Sequence, residues 1–296
     1  MDDSLCGQIE HIRKHLPDNL DATTKLDFYQ IEDIKKYCPD ENCNTDLDKN
    51  TAGFLWLLGK CYYESTEKNY DKNSINTFFI HMISWFSYKL KQISYDKNIP
   101  LNDFYNEHVR NNYKYNSFTT PAYTIADLGK FMDERTDLLN INIEDLSKFY
   151  DASKLICIMY GNVAKNEKYD ILSNNANDFV QKYTELNKKY NDEDGPHSKI
   201  LSALSTDYNN LKKKRKGFQS LPDIPGSSAL ASTYEVTSLS SSTGTRLFTV
   251  LSIFGAIAFF LGISYKVNNK ELKNISFLNI ILIIYIQRLT KKSYFS

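Results

Sequence analysis

An uncharged apolar run near the C-terminus constrains this chain more than any other feature. Residues 247–265 (LFTVLSIFGAIAFFLGISY) contain no charge, and Arg246 and Lys266 flank them. At about 1.5 Å per residue, a helix of this length crosses a hydrocarbon core of roughly 30 Å. A buried helix of a water-soluble domain usually carries a polar stripe, which this run lacks. We therefore predict a single transmembrane helix and a membrane localisation.

The charges on either side of this run predict its orientation. The chain has 36 basic and 36 acidic residues in total. Residues 266–296 hold six basic residues and one acidic residue (+5), so residues 1–246 hold 30 and 35 (−5). The positive-inside rule then places residues 266–296 in the cytosol and the N-terminal part outside it. The overall balance also argues against a strongly basic nucleic-acid binder, and we expect no nucleic-acid partner.

The segments around the apolar run have their own patterns. Residues 217–246 are rich in Ser, Thr, Gly and Pro, which predicts a flexible low-complexity stalk. Residues 266–296 form a basic tail whose short apolar run, 275–286, favours an interfacial or re-entrant segment over a second span. Within the span, small residues four apart (Ser252 and Ala256, Ala258 and Gly262) would permit weak homodimerisation.

Residues 1–216 show the apolar spacing of helices. Apolar side chains recur three and four residues apart, with Pro and Gly breakers between the runs. The runs are Phe54–Tyr62, Ile75–Ile93, Leu146–Tyr160 and Ile200–Leu211. Alternating β patterns are scarce, and no phosphate-binding glycine loop is present. We predict an all-α fold of seven to nine helices in an N-terminal ectodomain.

Five cysteines are the candidate site residues: Cys6, Cys38, Cys43, Cys61 and Cys157. In an extracellular domain they would form disulfides and leave one cysteine over. In the cytosol, Cys38 and Cys43 with His11 and His15 could suggest zinc, but neither spacing matches the common C-x2-C pair. No catalytic motif stands out. We predict no enzyme activity, no cofactor and no metal, and all five cysteines remain disulfide candidates.

Several longer segments resemble one protein family. They are Tyr37-Cys38-Pro39, Cys43 through Lys49, Ala52 through Leu58, Ile83 through Leu90, Asp137 through Tyr150, Met159 through Asn162, His197 through Leu204 and Leu247 through Lys266. Together they resemble the Plasmodium interspersed repeat (PIR) family, the variant multigene proteins of malaria parasites, in its rodent-parasite branch. The resemblance covers roughly residues 4–266.

The resemblance implies a helical, disulfide-bearing ectodomain, one span and a short cytosolic tail. It also implies export to the infected red cell or its surface, and a role in antigenic variation or host-cell interaction. The implied partners are a host-cell receptor or an antibody. The family has no established enzymatic activity or cofactor.

Two departures from the family pattern bear on these expectations. Related sequences place a further cysteine near the run Lys212–Lys216, where this chain has Arg215, which would explain the odd cysteine count. Residues 267–296 look unrelated to family tails, which an altered reading frame would explain.

The start of the chain favours a different interpretation. Residues 1–20 carry charges throughout and lack the apolar core of a secretory signal. The alternative function is therefore a membrane-anchored intracellular protein, whose helical domain faces the parasite or host-cell cytosol.

Overall fold

The computed structural model describes residues 1–19, 26–67, 70–190, 195–214 and 220–225. These residues contain eleven α-helices and no β-strand, which confirms the predicted all-α class. All of them belong to one unit, Met1–Ser228. No helix within these ranges is long and apolar enough to cross a membrane. The predicted span (247–265), the tail (266–296) and most of the stalk (217–246) lie outside the described residues.

The three helices at each end of the domain are long, and the five helices between them are short. Their bounds are α1 Asp3–His15, α2 Asp46–Thr66, α3 Lys72–Gln92, α4 Leu101–Tyr105, α5 Asn116–Thr124, α6 Leu128–Asp133, α7 Thr136–Leu139, α8 Ile143–Lys148, α9 Tyr150–Ala164, α10 Tyr169–Lys189 and α11 Pro196–Lys214. Short 3₁₀ turns precede α2 and α5, and a π turn, Asn106–Arg110, follows α4.

The predicted number of helices, seven to nine, is too low for the described residues. The chain between α3 and α9 divides into five helices of nine residues or fewer. Helices this short do not repeat an apolar position often enough for a period to be recognised. The single face predicted over 146–160 is also divided, because α8 ends at Lys148 and α9 begins at Tyr150.

Side-chain caps explain where three of the helices begin. The Asp2 carboxylate accepts a hydrogen bond from the Leu5 amide at 3.1 Å, and the Asp71 carboxylate accepts from the amide of Ser74. Thr45 and Asp48 form a reciprocal capping box at the start of α2. Each cap satisfies amide groups that have no partner inside the helix and contributes about 1 kcal/mol.

Helix α3 lies at the centre of the core, and α1, α2, α8, α9 and α11 pack against it. It is buried on most of its circumference, and Trp85 is fully buried. Phe54 of α2 stacks on Phe86 of α3 with ring centroids 4.3 Å apart. A Cβ atom at Gly53 would lie 2.9 Å from Leu16 Cδ1, so glycine permits the close approach of α1 and α2. This core holds α1, α9 and α11 side by side, where Cys6, Cys157 and the buried Asp207 lie.

Candidate functional site

Four of the five candidate cysteines form two disulfides. Cys6 of α1 is bonded to Cys157 of α9 across 151 residues of sequence, with the Cα atoms 5.0 Å apart. Cys38 is bonded to Cys43, with the Cα atoms 5.1 Å apart. Both disulfides are buried. The first fixes α1 on α9, whereas the second closes a short loop whose residues 40–42 are exposed.

Cys61 is the cysteine left over. Its side chain is buried in α2, and its thiol points to the Ile75 carbonyl oxygen at 3.9 Å. Burial raises the pKa of this thiol to about 12, so the thiol is protonated at neutral pH. A protonated, buried thiol is a poor nucleophile and a poor metal ligand.

The residues weighed for zinc have other partners. Cys38 and Cys43 are bonded to each other, and the His11 ring packs against the rings of His15 and Trp56. No group of three His, Cys, Asp or Glu side chains that could hold a metal ion occurs in the described part of the chain.

A buried polar cluster, which the sequence analysis did not identify, joins the start of the chain to α9 and α11. The Met1 ammonium lies 2.7 Å from Asp207 Oδ1, and both groups are almost fully buried. The Tyr160 hydroxyl donates to the same oxygen at 2.8 Å. Burial raises the pKa of Asp207, although the ammonium and the hydroxyl both favour its ionised form. The cluster therefore acts as a structural clasp between the chain start and α11.

A buried histidine lies beside the core disulfide. His81 of α3 places Nδ1 at 3.5 Å from Cys157 Sγ. Burial, with a smaller contribution from the Met1 ammonium, lowers the pKa of His81 to about 3. The imidazole is therefore neutral at physiological pH and forms part of the core.

The disulfide between Cys38 and Cys43 fixes a loop with an unusual backbone. Asp40 and Glu41 have positive φ angles of 48° and 60°, a conformation that costs non-glycine residues free energy. The Tyr29 hydroxyl donates to Asn42 Oδ1 at 3.1 Å and accepts from the Cys43 amide at 3.2 Å, which holds the loop from one side. The only sequence signal for this loop was the spacing of its two cysteines.

Exposed aromatic side chains lie on the same part of the fold. Tyr29 is 40% exposed and Tyr113 is 73% exposed. Tyr113 begins a 3₁₀ turn that contacts the turn Pro39–Glu41 within the disulfide loop. Tyrosine supplies a large, rigid contact area at low entropic cost, and it is enriched at protein interfaces. We call Tyr29, Tyr113 and the loop from Cys38 to Cys43 the tyrosine surface.

These features define a class: an all-α domain that is fixed by one disulfide between two helices and one disulfide that closes a short loop. The family model for Plasmodium variant antigen protein Cir/Yir/Bir matches residues 6–266. The chain belongs to this family, which confirms the resemblance seen in the sequence.

A solved structure supports the same conclusion. The chain is similar to the "Structure of a Plasmodium PIR protein ectodomain", with 29% sequence identity and a TM-score of 0.54. The match covers 75% of this chain and 98% of that one. A comparison with curated proteins gives no match.

Proposed function

We propose that this variant antigen is membrane-anchored and is exported to the infected red cell or its surface. There its helical domain meets host-cell receptors or antibodies and takes part in antigenic variation. Membership of the variant antigen family supports the role as an antigen. The two disulfides are the observation that carries the proposal of export and display outside the cytosol.

The disulfides favour an oxidising compartment. Disulfides persist outside the cytosol and are rare within it, where thiols are kept reduced. The bond between Cys6 and Cys157 is buried and joins helices that are 151 residues apart in the sequence, so the native packing of α1 on α9 includes it. A domain that faced the cytosol would fold without this link.

The extent of the family match supports the anchor. It runs to residue 266 and so includes the whole uncharged run 247–265. The family pattern therefore contains this run and the basic residue that follows it, which is consistent with one span and a cytosolic tail.

Staining of infected cells tests the display and its orientation. We expect antibodies against residues 1–190 to stain intact cells, and antibodies against a peptide from residues 266–273 to stain only permeabilised cells. Staining of both epitopes only after permeabilisation would instead support the intracellular alternative.

The tyrosine surface gives the proposal a test at the level of residues. We expect Tyr113→Ser in the full chain to reduce binding by antibodies raised against the native protein. The matched control is Ile171→Ser, which also removes an exposed large side chain (44% exposed) but lies on α10. Equal effects of the two variants would argue against a dominant role of the tyrosine surface.

A further inference from the structure

A groove lies between the C-terminal end of α2, the start of α3 and helix α6. Its cavity volume is about 460 Å³, within the range of about 300–1,000 Å³ of small-molecule sites. Side chains from all three helices line it, and we call it the α2–α6 groove. Its lining combines cations with hydroxyl groups.

Arg135 forms one wall of the α2–α6 groove and carries an incompletely paired charge. Its side chain is buried, and its guanidinium donates to the Phe131 carbonyl at 2.7 Å and to Asn76 Oδ1 at 3.0 Å. Glu134 lies 3.8 Å away, beyond hydrogen-bond distance, and Nε has no partner in the part of the chain described. A buried charge without a hydrogen-bonded counterion is costly, so an anion in the groove would be stabilised.

Two lysines add to this positive charge. Lys72 and Lys130 line the α2–α6 groove from exposed positions, and neither forms an ion pair with the other described residues. The carboxylates of Asp127 and Glu134 also line the groove. Three cations and two carboxylates leave a net charge of +1. That charge suits a carboxylate better than a phosphate group, which carries about −1.5 to −2 at neutral pH.

The hydroxyl groups of the α2–α6 groove are arranged as acceptors. Ser65 donates to the Tyr62 carbonyl at 2.6 Å, and Thr66 donates to the Tyr63 carbonyl at 2.8 Å. The Tyr70 hydroxyl donates to Asp2 at 3.3 Å. Each hydroxyl hydrogen is thus used within the protein, while the oxygen keeps a lone pair. A ligand that contacts these oxygens must bring several hydrogen-bond donors, which the hydroxyl groups of a sugar supply.

We propose that the α2–α6 groove binds a carboxylated sugar. The sugar carboxylate lies near Lys72, Lys130 and Arg135, and the sugar hydroxyls donate to Ser65, Thr66 and Tyr70. The idea that such a sugar is on a host-cell surface rests on the proposed function. The chemistry by which the groove would bind it is independent of that function.

Saturation-transfer NMR with the full-length chain in detergent micelles tests this assignment. Glucuronic acid and glucose form a matched pair of probes, because they differ only in the carboxylate. We expect glucuronic acid to bind with a Kd of about 1 mM, the range of a small polar ligand, and glucose to show no transfer. We expect the double variant Lys72→Gln/Lys130→Gln to weaken binding about tenfold, because charged hydrogen bonds are lost.

The control is Lys182→Gln/Lys189→Gln, which removes two lysines from a separate groove where α3, α8 and α10 meet. It should leave the Kd unchanged. Equal binding of glucose, equal binding of inorganic phosphate, an equal loss in the control variant, or no transfer from glucuronic acid at ten times the expected Kd would each overturn the proposal. None of these outcomes bears on surface display, which the staining experiment decides separately.

Discussion

At the scale of single residues, burial determines how the cysteines react. Cys61 is fully buried and burial raises the pKa of its thiol to about 12, so very little thiolate exists at pH 7.5. We expect iodoacetamide to leave the native protein unmodified and to modify Cys61 alone in urea without reductant. Peptide mass mapping measures both states. Modification of Cys61 in the native protein, or of any other cysteine in urea, would contradict the assignment of the disulfides.

The buried ion pair between Met1 and Asp207 predicts that one substitution strongly lowers the free energy of unfolding. Asp207→Asn keeps the size of the side chain but leaves the Met1 ammonium buried without a counterion. Breaking a buried pair in this way costs about 3–5 kcal/mol. We therefore expect the free energy of unfolding, measured by urea denaturation, to fall by about that amount.

The matched control for Asp207→Asn is Asp223→Asn, which also removes the carboxylate of an ion pair but at a solvent-exposed position. Asp223 pairs with Lys212 while its own side chain is 88% exposed, and such pairs contribute about 0–1 kcal/mol. Asp223→Asn should therefore change the free energy of unfolding by less than about 1 kcal/mol. If Asp207→Asn lowers the free energy of unfolding as little as Asp223→Asn does, the Met1 ammonium is exposed to water in solution.

At the scale of elements, the two disulfides should differ in their contribution to stability. The bond from α1 to α9 closes a loop of 151 residues, whereas the bond between Cys38 and Cys43 closes one of five. In the chain-entropy account, a longer loop removes more freedom from the unfolded chain. We expect Cys6→Ala/Cys157→Ala to lower the free energy of unfolding by about 5 kcal/mol and Cys38→Ala/Cys43→Ala by about 2 kcal/mol. The reverse order in urea denaturation would contradict this account.

The long helices could be predicted from the sequence, but the short ones could not. The apolar residues from Phe54 to Tyr62 lie in α2 and those from Ile75 lie in α3, because a period of 3.6 is clear over five turns. Between Leu101 and Lys148 each helix ends before its period is established, so only the breakers Pro100 and Pro121 were visible. Pro121 lies inside α5 rather than at its end.

The functional features depended on contacts that no local pattern encodes. Five cysteines allow three pairings for each choice of the odd one, so the partner of Cys6 was not readable from spacing. The α2–α6 groove brings together Ser65 of α2, Lys72 of α3 and Arg135, which lies between α6 and α7. The clasp between Met1 and Asp207 joins residues 206 positions apart. Such sites require the tertiary fold, which periodicity does not specify.

At the scale of the whole molecule, His81 makes stability depend on pH. The pKa of His81 is about 3 in the folded state and about 6.5 in the unfolded chain, so the unfolded state binds a proton first as the pH falls. This contribution is fully present above pH 6.5 and is lost as the pH falls toward 3. We expect the free energy of unfolding to drop by about 2 kcal/mol between pH 7 and pH 5.

Two other groups with shifted pKa values act with His81 between pH 7 and pH 5. Burial lowers the pKa of His11, which adds to the loss of stability, and burial raises the pKa of Asp207, which opposes it. Asp18, Asp71 and Glu144 have pKa values lowered below their ordinary values, so their contributions are lost only at lower pH. His81→Leu should remove most of the slope in this window, and His108→Asn should keep it. A wild-type slope that persists in His81→Leu would assign the effect to other groups.

The clasp between Met1, Tyr160 and Asp207 has a mechanical consequence for a tethered antigen. Tension that enters α11 from an anchor on its C-terminal side meets this clasp before it reaches the covalently linked pair of α1 and α9. Helix α11 contains no disulfide to its neighbours, so under shear it would separate first. If the domain is anchored as proposed, it would then gain length while Cys6 and Cys157 still hold α1 on α9.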